Sequence, residues 1–86
     1  MQIKFSPDAW EDYLYWQKNS KDTLKKINNL IKECQRTPFE GTGNPEPLRH
    51  GLSGFWSRRI NSEDRLVYEV VDDTVTIIMC KNHYEK

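Results

Sequence analysis

The sequence predicts an α+β domain in which an N-terminal helical hairpin packs on one face of an antiparallel sheet. Three observations predict it. Apolar residues recur at spacings of three and four through the early part of the chain, and apolar and polar residues alternate near its end. A stretch dense in proline and glycine separates the two patterns. Eighty-six residues accommodate one such core, so a single domain over residues 1–86 is expected.

Residues 2–5 alternate polar and apolar and run into Ser6-Pro7, which reads as a short strand feeding a helix start. Ser6 suits the cap and Pro7 the first helical position, where a missing N–H costs nothing. Asp8, Glu11 and Asp12 place negative charge near the positive end of the helix dipole, and Trp10, Tyr13, Leu14 and Gln17 fall on one face. On this reading Trp10 enters the core, while Trp16 lies off the stripe and faces a partner chain. Lys18-Asn19-Ser20 is a polar break, and Ser20 caps a second helix with Leu24, Ile27, Leu30, Ile31 and Cys34 along one side. Pro38 disfavours helical geometry at Thr37, which ends that helix near Gln35 or Arg36. A connection this short makes the two helices antiparallel.

Residues 38–54 carry three prolines and all four glycines, so neither a regular helix nor a central strand fits them. Loops of this length in small domains are usually functional. Residues 55–61, 65–71 and 74–81 then read as a three-strand meander, with turns at residues 62–64 and Asp72-Asp73. In the middle strand Leu66, Tyr68 and Val70 share the face toward the helices, and Arg65, Val67 and Glu69 take the other. An odd-length turn before that strand sets Arg59 opposite Arg65, and an even one sets Arg58 there instead. If Arg59 points outward, Arg58 alternates toward the helices and needs a carboxylate or a route to solvent.

Thirteen basic and thirteen acidic residues cancel, so no global positive field draws the chain to nucleic acid, and any such contact needs a local patch. No apolar run is long enough to span a bilayer and the N-terminus lacks a secretory layout, which predicts a cytoplasmic protein without membrane association. Cys34 and Cys80 read as structural thiols. Phosphate-loop, dinucleotide and nucleophile-elbow motifs are missing, and His50 and His83, the only imidazoles, have no partner at helical ligand spacing. Neither metal nor cofactor is expected.

The remaining parts suit a phosphodiester that supplies its own nucleophile. Cleavage beside an RNA 2′-hydroxyl needs a base for that hydroxyl, a cation for the phosphorane and an acid for the departing 5′-oxygen. The second half of the chain offers Glu46, held between Pro45 and Pro47, then Arg49, Arg58, Arg59, Arg65, Lys81, His83 and Tyr84. Blander readings stand beside this one: a solvated loop glutamate, a surface histidine, and strand arginines paired with Glu63 or Glu69. Tyr84 either stacks on a base or closes the edge of the core.

The runs DAWEDYLYWQ, KKINNLIKE, RTPFEGTGNPEPL, LSGFWSRRI, DRLVYEV and the late His-Tyr pair span nearly the whole chain. Together they strongly resemble the YoeB/Txe family of bacterial toxins in the RelE-like superfamily. The resemblance implies a fold akin to small microbial ribonucleases and a metal-independent endoribonuclease that cuts mRNA in the ribosomal A site and halts translation. It implies Glu46 as general base, His83 as general acid, and Arg65 steadying the phosphorane with Arg59 assisting. Arg49, often Lys in the family, and Tyr84 would contact substrate. It also implies a YefM-like antitoxin partner and a toxin homodimer. Glu85 and Lys86 depart from the pattern, because the family's His-Tyr sits at or very near the terminus, and a fold-back of these two would alter access to the site. The rival reading from another class is a non-catalytic ribosome- or RNA-binding inhibitor that blocks translation without cutting.

Overall fold

The computed structural model describes residues 1–83; Tyr84, Glu85 and Lys86, and the expectations attached to them, lie outside the described residues. Strand β1 (Gln2–Phe5) leads into helix α1 (Pro7–Asn19) and helix α2 (Lys21–Cys34). A two-residue strand β2 (Glu46–Pro47), a 3-10 turn (His50–Leu52) and strands β3 (Trp56–Arg59), β4 (Arg65–Val71) and β5 (Thr74–Met79) follow. The five strands form one sheet in the order β1-β5-β4-β3-β2.

The meander β3-β4-β5 is antiparallel as expected, and β2 adds to its outer edge antiparallel to β3. On the opposite edge β1 pairs with β5 in parallel, so the sheet is mixed. The helical hairpin is the crossover that carries the chain from one edge toward the other, and only such a connection permits a parallel neighbour. Pro47 is tolerated in β2 because an edge strand has one side that needs no donor. Between Val67 and Tyr68 the pairing with β5 slips by one residue, a bulge. Asp72 and Asp73 both take positive φ, 49° and 60°, the backbone that a two-residue hairpin turn demands.

Local chemistry sets the helix ends where the sequence placed them. The Ser6 hydroxyl accepts the Ala9 N–H at 3.1 Å, with Pro7 in the first turn. Ser20 alone separates the helices. Its backbone N–H closes α1 on the Trp16 carbonyl while its side chain caps α2 through the Thr23 N–H. Ile27, Leu30, Ile31 and Cys34 bury one stripe of α2. Each large apolar side chain so buried contributes about 1.5–3 kcal/mol relative to exposure, so packing decides this otherwise polar helix.

The buried face of α1 differs from the expected one. Trp10 is 47% exposed and Leu14 37%, whereas Ala9 is buried and Tyr13 and Trp16 pack against the core. The reason is close approach: the Cys80 thiol donates to the Ala9 carbonyl at 3.7 Å, and only a small side chain at position 9 lets helix and sheet meet so closely. Trp10 is displaced to the flank, stacked on Tyr13 and edge-on to Phe5. Trp16, expected to face a partner, instead donates its indole N–H to the Cys80 carbonyl at 2.8 Å.

The core lies between the helices and Leu66, Tyr68, Val75, Ile77 and Cys80. No helix among the described residues is long and apolar enough to cross a membrane. Both cysteines are free and buried. Burial raises the Cys34 thiol pKa, and burial with the Asp12 and Asp64 carboxylates nearby pushes Cys80 up to about 12. A thiol held this way is inert. Titration with a chromogenic disulfide at neutral pH is therefore expected to count no reactive thiol in native protein and both after denaturation; fast labelling of the native state would contradict the packing.

Candidate functional site

Register places the candidate residues. Residues 60–64 form an odd-length connection, and Arg59 pairs directly with Arg65 while Arg58 pairs with Leu66. Alternation then turns Arg58 and Trp56 toward the helices and Ser57 and Arg59 to the opposite face. Glu46 pairs with Ser57, so Glu46, Arg59 and Arg65 share the face that the helices leave uncovered. The Glu46-Ser57 row lies about 7 Å along the strands from the arginine row. That face is not bare polar surface. Ser57, Val67 and Leu48 on it are buried, and the two apolar residues lie outside the main core cluster, forming a dry floor.

Arg65 is half-buried, and its Nη1 donates to the carbonyls of Asn61 at 2.7 Å and Asp64 at 3.1 Å, which holds the guanidinium against the turn. His83 follows Asn82, whose carbonyl accepts the Arg65 N–H at 2.9 Å, so the chain brings His83 to the start of β4. Upstream, the Cys80 backbone is held on both sides: Asp12 accepts its N–H at 3.1 Å and Trp16 donates to its carbonyl. Burial there raises the Asp12 pKa, against the pull of that hydrogen bond and of Lys81. Lys81 also sits over the Tyr15 ring at 4.5 Å. Arg49 is not gathered with the others. It is exposed, precedes the 3-10 turn, and lies beyond the end of β3 remote from Arg59.

The segment that delivers Glu46 is organised by Arg58, which is fully buried. Its Nε donates to the Tyr68 hydroxyl at 3.2 Å, Nη1 to Glu33 Oε1 at 2.7 Å and the Thr42 carbonyl at 3.0 Å, and Nη2 to the carbonyls of Thr37 and Glu40. Of the two outcomes open to an inward Arg58, a carboxylate or a route to solvent, the fold supplies the carboxylate, Glu33 of α2. The Tyr68 hydroxyl donates to the Pro38 carbonyl at 2.6 Å, and burial pushes its pKa up to about 12. Gly41 has φ +117°, and a Cβ there would meet Glu33 Oε1 at 2.0 Å, so only glycine fits. The Gly43 carbonyl accepts the Arg59 N–H at 2.7 Å, tying the loop to β3 just before β2 begins.

Glu33 also accepts the backbone N–H and hydroxyl of Thr42, and these bonds, with Arg58, hold its pKa below the ordinary carboxylate value of 4.5. A folded-state pKa below the unfolded one stabilises the protein above the unfolded value, and that contribution is lost as pH falls through the folded one. Thermal melts from about pH 6 downward are expected to lose stability below pH 4.5, and Glu33→Gln to flatten that part of the decline. An identical acid limb in the variant would exclude Glu33 as its source.

Sequence reasoning missed Glu33, Asp12 and Asp64 as organising residues. The need of an inward Arg58 for a carboxylate or a route to solvent was the one signal, and it named no partner.

The family model for a YoeB-like toxin of bacterial type II toxin-antitoxin systems matches residues 5–84. The chain is 60% identical over 84 residues to Toxin YoeB of Escherichia coli strain K12, covering 98% of this chain and 100% of that one. Its fold is similar to the YoeB/ParE toxin from Agrobacterium tumefaciens, with a TM-score of 0.95 and 42% identity over 98% and 100% of the two chains. It is also similar to Staphylococcus aureus YoeB, solved as a YoeB-YefM complex and as a YoeB dimer, with a TM-score of 0.90 and 52% identity over 98% of each chain.

Proposed function

The chain belongs to the YoeB-like toxins of bacterial type II toxin-antitoxin systems, and from that premise we propose that it is a ribosome-dependent, metal-independent mRNA endoribonuclease. One observation carries the reading. Arg59 and Arg65 stand directly opposite each other on the uncovered face, where like charges repel unless an anion lies between them. Glu46 shares that face and His83 adjoins Arg65 through Asn82. A phosphodiester brings negative charge between them, and the flanking carboxylate and imidazole are the base and acid its cleavage needs.

In this reading Glu46 removes the 2′-hydroxyl proton and the 2′-oxygen forms a bond to phosphorus. Arg65, with Arg59, stabilises the dianionic phosphorane. The bond from phosphorus to the 5′-oxygen breaks, and protonated His83 gives its proton to that oxygen. The products are a 2′,3′-cyclic phosphate and a 5′-hydroxyl, and solvent returns Glu46 and His83 to their starting states. Arg49 contacts the backbone farther along the substrate as a planar fork, and Tyr84 orients the scissile nucleotide. Action on mRNA in the A site places the protein in the cytoplasm. A YefM-like antitoxin restrains it, and it forms a homodimer, as the S. aureus relative was solved in both states.

Primer extension on a defined mRNA, bound to purified programmed ribosomes in magnesium buffer, tests the proposal. Cleavage within the A-site codon, with a 5′-hydroxyl on the downstream fragment, is expected. Arrested ribosomes on intact mRNA would instead establish blocking by binding.

A further inference from the structure

Asp64 is buried, at the last position of the connection from β3 to β4. The turn is closed without its carboxylate. The Asp64 carbonyl accepts the Ile60 N–H at 3.0 Å, and Asn61 Oδ1 accepts the N–H groups of Glu63 and Asp64, each at 2.8 Å. The carboxylate reaches to another part of the chain, where Oδ1 accepts the Asn82 N–H at 2.6 Å. The Asn82 carbonyl in turn accepts the N–H of the next residue, Arg65. Two consecutive residues thus grip both backbone groups of Asn82, whose φ of 64° is a left-handed turn that directs the chain onward into His83.

We infer that Asp64 is a positioning residue whose grip on the Asn82 amide fixes His83 beside Arg65. The inference rests on the proposal that His83 protonates the leaving oxygen. A charge-assisted bond to a backbone amide is among the stronger restraints a side chain can apply. It acts one residue from the imidazole, while Asp12 and Trp16 hold Cys80 farther upstream. Residues 80 and 82 are therefore both anchored, and His83 has little backbone left to move. Displacing a proton donor by about 1 Å costs up to about 10²-fold in rate.

Asp64→Ala is expected to cleave ribosome-bound mRNA about 10- to 100-fold more slowly at saturation, with the KM for programmed ribosomes unchanged. Asp64→Asn, whose amide oxygen still accepts the Asn82 N–H, is expected to recover to within a few-fold of wild type. The decisive readout uses mRNA with sulfur in place of the scissile 5′-oxygen, since a thiolate departs without a proton. On that substrate Asp64→Ala and His83→Gln are both expected to approach the wild-type rate. A merely structural defect slows both substrates alike, and that result, or wild-type rates for Asp64→Ala on ordinary mRNA, overturns the inference. If His83→Gln itself cuts ordinary mRNA normally, the general-acid assignment fails first. Hydrogen exchange in the unmutated protein gives a check that does not depend on a variant folding: the Asn82 amide is expected to be protected, and exchange at the rate of an open peptide overturns the inference.

Discussion

Glu46→Gln and His83→Gln are each expected to slow mRNA cleavage by about 10²–10⁴-fold, the usual worth of a general base or acid. At about 1.36 kcal/mol per decade, this is a loss of roughly 3–5 kcal/mol of transition-state stabilisation. Both glutamines retain hydrogen-bonding capacity and similar size, so the fold and ribosome association are expected to survive. The loss should therefore fall on the maximal rate and leave ribosome affinity nearly unchanged, the pattern for a group that acts only in the transition state. Because base and acid act on the same displacement, the double variant should lose less than the product of the single losses. Single-turnover cleavage on purified programmed ribosomes measures all three. Wild-type cutting by either single variant removes that residue from the mechanism.

Arg58→Met is expected to destabilise the fold by on the order of 3 kcal/mol, because a fully buried guanidinium that donates five hydrogen bonds is lost and its partly buried acceptors go unpaired. For a domain of this size that corresponds to a fall of more than about 10 °C in thermal midpoint. Deleting the guanidinium takes one donor from the Glu33 carboxylate, which keeps those of Thr42, and removes the arginine donor from the Tyr68 hydroxyl and the carbonyls of Thr37, Glu40 and Thr42. Arg58→Lys is expected to recover only part of the loss, since an ammonium has three donors where the guanidinium has five in a fixed plane. Because Arg58 gathers the segment leading to β2, the displacement should also reach Glu46. Circular dichroism melts of the two variants beside wild type provide the check, and a midpoint for Arg58→Met within a few degrees of wild type would deny Arg58 this organising part.

The elements legible in the sequence are those whose causes are local. Ser6-Pro7 and Ser20 start helices because a side-chain oxygen within three residues satisfies an otherwise orphaned amide. Asp72-Asp73 turns the last hairpin because aspartate tolerates positive φ. The split of β4 into Leu66 and Tyr68 on one face and Arg65 and Val67 on the other follows from a period of two. The residue types proposed for the site were likewise visible, since Glu46 between prolines, the paired arginines and the late His83 stand out within a neutral chain.

Other features depend on contacts between residues remote in sequence. The parallel pairing of β1 with β5 joins residues more than seventy positions apart, and no local propensity encodes it. Apolar spacing on α1 put Trp10 inside, yet the close approach of Cys80 gave that place to Ala9. The choice between Arg58 and Arg59 opposite Arg65 rested on one residue of turn length. That residue decides which guanidinium is buried and paired to Glu33 and which stands on the open face opposite Arg65. Local order is dictated by neighbours along the backbone, and so can be read from the string of residues. The placement of charge waits for the sheet register, because a shift of one position carries a side chain from the dry core to the open face.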